Sequence, residues 1–170
     1  TDSLVGSEMC IRDSLQGRLF RTLDDLERLS ASLGPDADVR ICKGIYLEHP
    51  DIAYTGYNDI VRATSAAVSK ALDLGMYVGV ASHDHPVINS TIKSLDERNF
   101  VFPGQDPREP APTKREGKGN GYEFQFLLGV RGDVRRRLAS EGHLTRVYLP
   151  YGEQWYELSL IHISEPTRLS

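Results

Sequence analysis

Apolar residues in the middle of the chain alternate between two kinds of spacing. In segment 18–32 leucines recur every three or four residues, the spacing of one helical face, at Leu19, Leu23, Leu26 and Leu29. Segment 39–46 is short and rich in β-branched residues, as strands are. The pattern therefore predicts a helix over 18–32 followed by a strand over 39–46.

The same alternation continues towards the end of the chain. Further helices are predicted over 57–74, 86–97 and 132–141, and further strands over 76–82, 122–129 and 146–150. Gly75 and Gly142 stand where helix-ending glycines are common, and Pro86 suits a first helical turn. Strands that alternate with helices form right-handed βαβ units, so the predicted fold class is α/β with a parallel sheet.

The predicted strands are apolar nearly throughout, which is typical of strands covered on both faces. Either a doubly wound sheet or a (β/α)8 barrel fits this pattern. In both folds the chemistry belongs at the carboxyl ends of the strands. Polar side chains collect at those ends, at Lys43, Tyr46, Ser82, His83, Gln125 and Tyr148.

The composition is that of a globular domain, with 39% hydrophobic and 26% charged residues. A formal net charge of −4 gives no reason to expect nucleic acid as a partner. No apolar stretch approaches the ~20 residues that cross a bilayer, and the first residues lack the features of a signal peptide. The two cysteines, Cys10 and Cys42, are far apart and lack metal-ligand spacing, so we expect them to form neither a disulfide framework nor a metal site. We therefore expect the protein to reside in a reducing compartment.

Two terminal peptides are related through their coding DNA. Residues 4–14 and 158–168 can be encoded by opposite strands of one DNA segment, which resembles a transposon adapter used for sequencing libraries. We therefore interpret 1–14 and 158–170 as adapter-derived tails and 15–157 as the native domain. Segment 102–120, rich in Pro, Gly and charge, is predicted to be a surface loop.

Several motifs, in register with one another, resemble those of one enzyme family. They are LQGRLFRTLDDLERL at 15–29, RICKGIY at 40–46, GVASHD at 79–84, YEFQFLLGVR at 122–131 and RVYLPYGEQWY at 146–156. Their order and spacing are similar to those of FAD-dependent proline dehydrogenases, over essentially all of 15–157. Because that family folds as a distorted (β/α)8 barrel, the resemblance implies a partial barrel, about its second half.

The resemblance implies roles for the residues that match the family's motifs. Arg40 matches an arginine beside the flavin, where a fixed cation stabilises the negative charge that builds on the ring. Tyr148 matches a tyrosine that packs over the substrate ring, and we predict both residues to be catalytic. Without the resemblance, Arg40 is as consistent with a salt bridge at a barrel end, and Tyr148 is better explained as a half-buried core aromatic.

The resemblance assigns seven residues to FAD binding: Gln16, Arg40, Gly44, Ile45, Tyr46, Ser82 and His83. Ile45 departs from the family's usual alanine. Ser82 replaces a threonine but keeps the hydroxyl group. A strand glycine such as Gly44 is also consistent with a bulge.

For the intact parent protein, the resemblance implies oxidation of L-proline to Δ1-pyrroline-5-carboxylate. Hydride would pass to FAD and electrons to a quinone, in a cytoplasmic protein with peripheral contact to the inner membrane. The family's first strands and last helix carry a Lys, an Asp and an Arg pair for the substrate, which this chain lacks. We therefore expect the fragment itself to be inactive and to hold FAD weakly.

Two other hypotheses stay open on the sequence alone. A metal-dependent barrel hydrolase would use His83, Asp84 and His85, which are otherwise assigned to cofactor binding or to a loop or cap. A gene remnant without any activity is the second, and it would unfold without cooperativity.

Overall fold

The computed structural model describes residues 13–34, 37–46, 48–100 and 121–148. Strands and helices alternate in it: β1 (Asp13–Gln16), α1 (Thr22–Leu33), β2 (Asp38–Cys42), α2 (Tyr57–Asp73), β3 (Tyr77–Ala81), α3 (His85–Glu97), β4 (Gly121–Leu127), α4 (Gly132–Ser140) and β5 (Thr145–Tyr148). The predicted tails and the predicted loop 102–120 lie outside the described residues, except for Asp13 and Ser14, which begin β1. No helix in these ranges has both the length and the apolar character needed to cross a membrane.

All five strands run parallel, and the strands are neighbours in sequence order, β1-β2-β3-β4-β5. Right-handed crossovers that always step in the same direction put every helix on one face of the sheet, which is the topology of a (β/α)8 barrel. A doubly wound sheet reverses direction at a switch point and places helices on both faces. The prediction of a partial barrel is confirmed.

One face of the sheet packs against the helices. Its buried apolar side chains are Val39, Ile41, Val78, Val80, Phe124 and Phe126. They form one cluster with buried residues of the four helices, among them Leu26, Val68, Leu95 and Leu138. Because full burial of each such side chain stabilises the fold by about 1.5–3 kcal/mol, this layer fixes the register of the strands.

The opposite face of the sheet is polar, which corrects the expectation of apolar strands throughout. Successive residues of a strand point to opposite faces, and this face carries Arg40, Glu123, Gln125, Arg146 and Tyr148. On β3 it carries Tyr77 at the amino end and then the small residues Gly79 and Ala81. Each strand has only a few residues, so its mainly apolar composition hides this alternation of apolar and polar positions in the sequence.

The first helix begins later than predicted, at Thr22 rather than at residue 18. Leu19 forms an isolated antiparallel bridge with Ala53 instead. The Thr22 hydroxyl donates a hydrogen bond to the Gln16 carbonyl at 2.6 Å. A tight turn after β1 therefore takes up the first residues of the leucine pattern.

Tyr122 and His143 form a buried pair beside the amino ends of β4 and β5. The Tyr122 hydroxyl lies 2.8 Å from His143 Nδ1, and the His143 ring packs edge-on against Phe124 with centroids 5.4 Å apart. Burial lowers the pKa of His143, against an opposing effect of Glu141. Burial also raises the pKa of Tyr122, so its hydroxyl stays protonated at neutral pH and can donate to a neutral imidazole.

We expect the free energy of unfolding to fall as the pH drops below 6.5, the ordinary pKa of histidine. Since the folded-state pKa of His143 lies lower, the unfolded chain binds more protons in that range and is favoured. Urea denaturation at about pH 8 and about pH 5.5 measures the effect. His143→Gln should flatten this dependence, whereas the exposed His49→Gln should preserve it; equal slopes in both variants would contradict the assignment.

Candidate active site

A connected set of hydrogen bonds on the polar face is centred on Gln125 of β4, which is 2% exposed. Its Oε1 accepts hydrogen bonds from Arg40 Nε at 3.0 Å and from the Tyr148 hydroxyl at 3.1 Å. Its Nε2 donates to Glu123 Oε1 at 2.6 Å. One amide therefore links β2, β4 and β5.

Arg40 reaches Gln125 across an intervening strand. In the sheet register Arg40 pairs with Gly79 of β3, and Gly79 pairs with Glu123 of β4. Because Gly79 has no side chain and Ala81 has a single methyl group, the long arginine can pass over β3. It also slants towards the carboxyl ends, since Gln125 lies two residues beyond Glu123.

The two residues predicted to be catalytic, Arg40 and Tyr148, are in contact. The guanidinium carbon of Arg40 lies 5.5 Å from the centre of the Tyr148 ring, within the range of a cation–π interaction. Tyr148 is 40% exposed, so its ring borders the open space above the sheet. Within the described residues Arg40 forms no ion pair, and its Nε donates to the neutral Gln125 amide instead.

Gln16 and Gly44 meet at the carboxyl ends of β1 and β2. Gly44 has a φ of +96°, which side-chain-bearing residues rarely adopt, and β2 ends before it, at Cys42 rather than at residue 46. A Cβ at Gly44 would collide with Gln16 Oε1 and lie 2.8 Å from Arg18 Cδ. Gln16 Oε1 is buried, and no described residue donates a hydrogen bond to it.

We expect Gly44→Ala to lower the free energy of unfolding by about 3 kcal/mol, from backbone strain and from the collision with Gln16. Gly129→Ala is the matched control, because Gly129 has a φ of +84° and an added Cβ there would meet nothing within 4 Å beyond its chain neighbours. Gly129→Ala should lower the free energy of unfolding by the backbone strain alone, about 1–2 kcal/mol. Urea denaturation compares the two variants, and equal losses would show that the Gln16 contact is unimportant.

Ser82 and His83 follow β3 directly. The buried Ser82 hydroxyl oxygen accepts a hydrogen bond from the Asp84 backbone N–H at 3.2 Å. His83 Nε2 accepts one from the Leu127 backbone N–H at 3.0 Å, so the proton of the neutral ring is on Nδ1. The His83 ring packs edge-on against Phe126, with centroids 5.7 Å apart. These contacts hold both side chains at the carboxyl end of the sheet, and their role in cofactor binding stays a prediction.

Ile45 and Tyr46 lie in the segment that follows β2. Ile45 is partly buried, whereas the Tyr46 side chain is 64% exposed. The buried guanidinium of Arg18 donates to the Tyr46 carbonyl at 2.6 Å and to the Tyr54 carbonyl at 3.1 and 3.3 Å. Arg18 therefore fixes the backbone of this segment, a role that the sequence did not indicate.

Lys43, Asp84 and Tyr57 form a cluster next to the site, in which the lysine and the aspartate are largely buried and the tyrosine is half exposed. Lys43 Nζ lies 2.7 Å from Asp84 Oδ2, with side chains that are 16% and 9% exposed. The Tyr57 hydroxyl donates to the same carboxylate at 2.9 Å. Asp84 stands at the N-cap position of α3, but its side chain makes no capping hydrogen bond. It instead connects the ends of β2 and β3 with the start of α2.

The metal-dependent hydrolase hypothesis is not supported. His83 is bonded to the β4 backbone, Asp84 to Lys43, and His85 points to Arg131. Across residues 13–34, 37–46, 48–100 and 121–148, no three His, Cys, Asp or Glu side chains are grouped as metal ligands would be. The three residues of the motif therefore have separate partners.

Glu123, like Gln125, is a site residue for which the sequence predicts no role. It is 1% exposed, and Arg146 Nε lies 2.8 Å from its Oε1. The Tyr77 hydroxyl donates to its Oε2 at 3.1 Å. The signal in the sequence is the pair of polar residues, Glu123 and Gln125, that alternate with aromatic residues in YEFQF.

The chemistry of these residues fits a flavin. Arg40 offers a cation held by the sheet, beside the exposed Tyr148 ring. Gln16 offers a buried acceptor oxygen of the kind that a ring N–H satisfies. Gly44 keeps the backbone next to it free of a side chain.

Comparison with known proteins gives relatives of one kind. No protein-family model matches the chain. It is 36% identical over 154 residues to a proline dehydrogenase of Deinococcus radiodurans, and 34% identical over 151 residues to proline dehydrogenase 2 of Bacillus subtilis. These matches cover 91% and 89% of this chain but 43% of each relative. The chain thus spans less than half the length of the curated relatives it matches.

Solved structures give the same fold. Proline utilization A from Bdellovibrio bacteriovorus, inactivated by N-propargylglycine, matches with a TM-score of 0.68 at 17% identity, over 87% of this chain and 15% of that one. A mutant of proline utilization A from Bradyrhizobium japonicum matches with a TM-score of 0.64 at 17% identity, over 88% and 15%. At this level of identity, the likeness extends to the fold alone.

Proposed function

This chain is homologous to part of the proline dehydrogenases, and from that relationship we propose that the full-length protein containing it oxidises L-proline to Δ1-pyrroline-5-carboxylate. The observation that carries the proposal is the contact between Arg40, Gln125 and Tyr148 at the carboxyl ends of parallel strands. This end of a barrel is where active sites form.

The proposed cofactor is FAD, which when bound accepts the hydride from the proline ring carbon next to nitrogen. Gln16, Gly44, Ser82 and His83 would hold it, together with the backbone around Ile45 and Tyr46. In support, Gln16 has a buried acceptor oxygen. His83 and Ser82 are themselves held by backbone hydrogen bonds, which limits the entropy that they would lose on binding.

Arg40 and Tyr148 have separate proposed tasks. Arg40 keeps a permanent positive charge in a fixed position, and such a charge favours the anionic character that develops as hydride is transferred. Tyr148 presents the face of an aromatic ring beside that charge, where it can shape the pocket for a five-membered ring. Its hydroxyl is bonded to Gln125, so the ring does not need a partner in the substrate to stay oriented.

Three further parts of the proposal rest on the relationship alone. Electrons would pass on to a quinone, and the full-length protein would touch the membrane only peripherally. The segment described here would hold FAD weakly and would not oxidise proline by itself. The curated relatives are more than twice as long as their match to it, and a complete substrate site draws on several strand ends.

The test uses the full-length protein that contains this sequence. Its bound flavin should bleach when L-proline is added without an acceptor, and the product should be the cyclic imine. A protein purified without flavin, or one whose flavin proline does not reduce, would overturn the proposed function. For the isolated chain, gel filtration after mixing with FAD should leave the flavin unbound, and stoichiometric retention would contradict that part of the proposal.

A further inference from the structure

We propose that Glu123 is a positioning residue for Arg40 and Tyr148, and that it acts through the orientation of the Gln125 amide. The inference rests on the proposed function above and assigns a role to two residues that the family resemblance left without one. Its basis is the hydrogen-bond chain from Glu123 through Gln125 to Arg40 and Tyr148.

A glutamine side chain has a donor end and an acceptor end, and these can exchange places by rotation. Glu123 as a carboxylate only accepts hydrogen bonds, so it holds the Nε2 end of Gln125, at 2.6 Å. Oε1 is thereby turned to the other side, where Arg40 Nε and the Tyr148 hydroxyl can donate to it. If the amide were reversed, its N–H groups would face the N–H of Arg40.

The charge of Glu123 is fixed by its own partners. Arg146 binds it through Nε at 2.8 Å and through a terminal amino group at 3.0 Å, and the Tyr77 hydroxyl donates at 3.1 Å. These three donors favour the ionised form, which accepts the hydrogen bond from Gln125. Glu123 is 1% exposed, so solvent does not compete for it.

Gln125 also keeps the negative charge of Glu123 from pairing directly with Arg40. The amide stands between them, and Arg40 is held by Nε rather than by a carboxylate. Because Nε anchors Arg40, its terminal amino groups are not needed for that purpose. The positive charge of Arg40 is therefore available to the space above the sheet. A direct ion pair would hold the arginine equally well but would offset its charge.

The experiment compares variants of the full-length flavoprotein by stopped-flow reduction of the flavin at saturating proline. Glu123→Gln and Gln125→Leu should each slow flavin reduction about 10- to 100-fold, the scale of a misplaced catalytic group. The double variant should lose little more than either single one, because both break the same chain. Glu97→Gln, an exposed carboxylate-to-amide change on α3, is the matched control and should leave the rate unchanged.

Structural damage is separated from positioning by two measurements. Flavin content and melting temperature are recorded for every variant. Arg146→Gln is included because it removes the cation that stabilises ionised Glu123 but leaves the carboxylate facing Gln125. We expect Arg146→Gln to slow flavin reduction less than Glu123→Gln does. Additive losses in the double variant, or wild-type rates in Glu123→Gln, would overturn the inference. A wild-type protein whose flavin is not reduced by proline would instead overturn the proposed function.

Discussion

Replacing Arg40 with methionine in the full-length protein is expected to slow proline-dependent flavin reduction by about 10²- to 10³-fold, the effect of removing one preorganised charge or donor from an active site. Methionine keeps much of the side-chain volume but removes the cation that faces Tyr148 and the donor to Gln125. The rate constant at saturating proline is the measurement, because it reports the chemical step rather than binding.

Two further variants are compared with Arg40→Met. Arg40→Lys keeps a positive charge but loses the Nε donor in its fixed geometry, so we expect an intermediate rate. Arg62→Met removes an arginine whose side chain is 76% exposed on α2, and it should not change the rate. If Arg40→Met reduced the flavin as fast as the wild type, Arg40 would have only a structural role.

Lys43→Met is expected to destabilise the chain by about 3–5 kcal/mol, as the loss of one partner from a buried ion pair does. The Asp84 carboxylate would then be left with the Tyr57 hydroxyl but without the cation at 2.7 Å. The free energy of unfolding from urea denaturation of the chain measures the loss.

A second substitution distinguishes an uncompensated charge from lost packing. In Lys43→Met combined with Asp84→Asn, the buried charge is gone and the hydrogen bond from Tyr57 can remain, so stability should partly recover. Lys93→Met is the control, since its ion pair with Glu97 is 3.8 Å long and exposed, and it should change stability by at most about 0.5 kcal/mol. A double variant as unstable as Lys43→Met would indicate that the lysine acts mainly by packing.

The sequence predicted the positions of most elements because their patterns are local. Helix α2 ends at Asp73, two residues before Gly75, the glycine expected to stop it, and α3 begins at His85, next to Pro86. The predicted strands over 76–82 and 122–129 contain β3 and all but the first residue of β4. Where boundaries moved, as at the start of α1 and the end of β2, the cause is a contact with another segment: the Leu19–Ala53 bridge and the Gln16–Gly44 contact.

The contacts within the site could not be predicted in the same way. The motifs indicated Arg40 and Tyr148, but nothing local connects a residue of β2 with one of β5. Their contact depends on strand order, on the register that sets Gly79 beside Arg40, and on Gln125 between them. Glu123 and Gln125 remained without a role because polar residues in a strand acquire meaning only when the face they occupy is known.

The sequence by itself determined the alternation of strands and helices, the glycine and proline boundaries, and the resemblance that points to proline oxidation, because each of these depends on neighbours along the chain. Only the tertiary structure decided that all helices cover one face, that the other face is polar, and which of its side chains touch. The physical reason is that side-chain contacts across a parallel sheet join residues far apart in sequence, and their geometry follows from how strands pair.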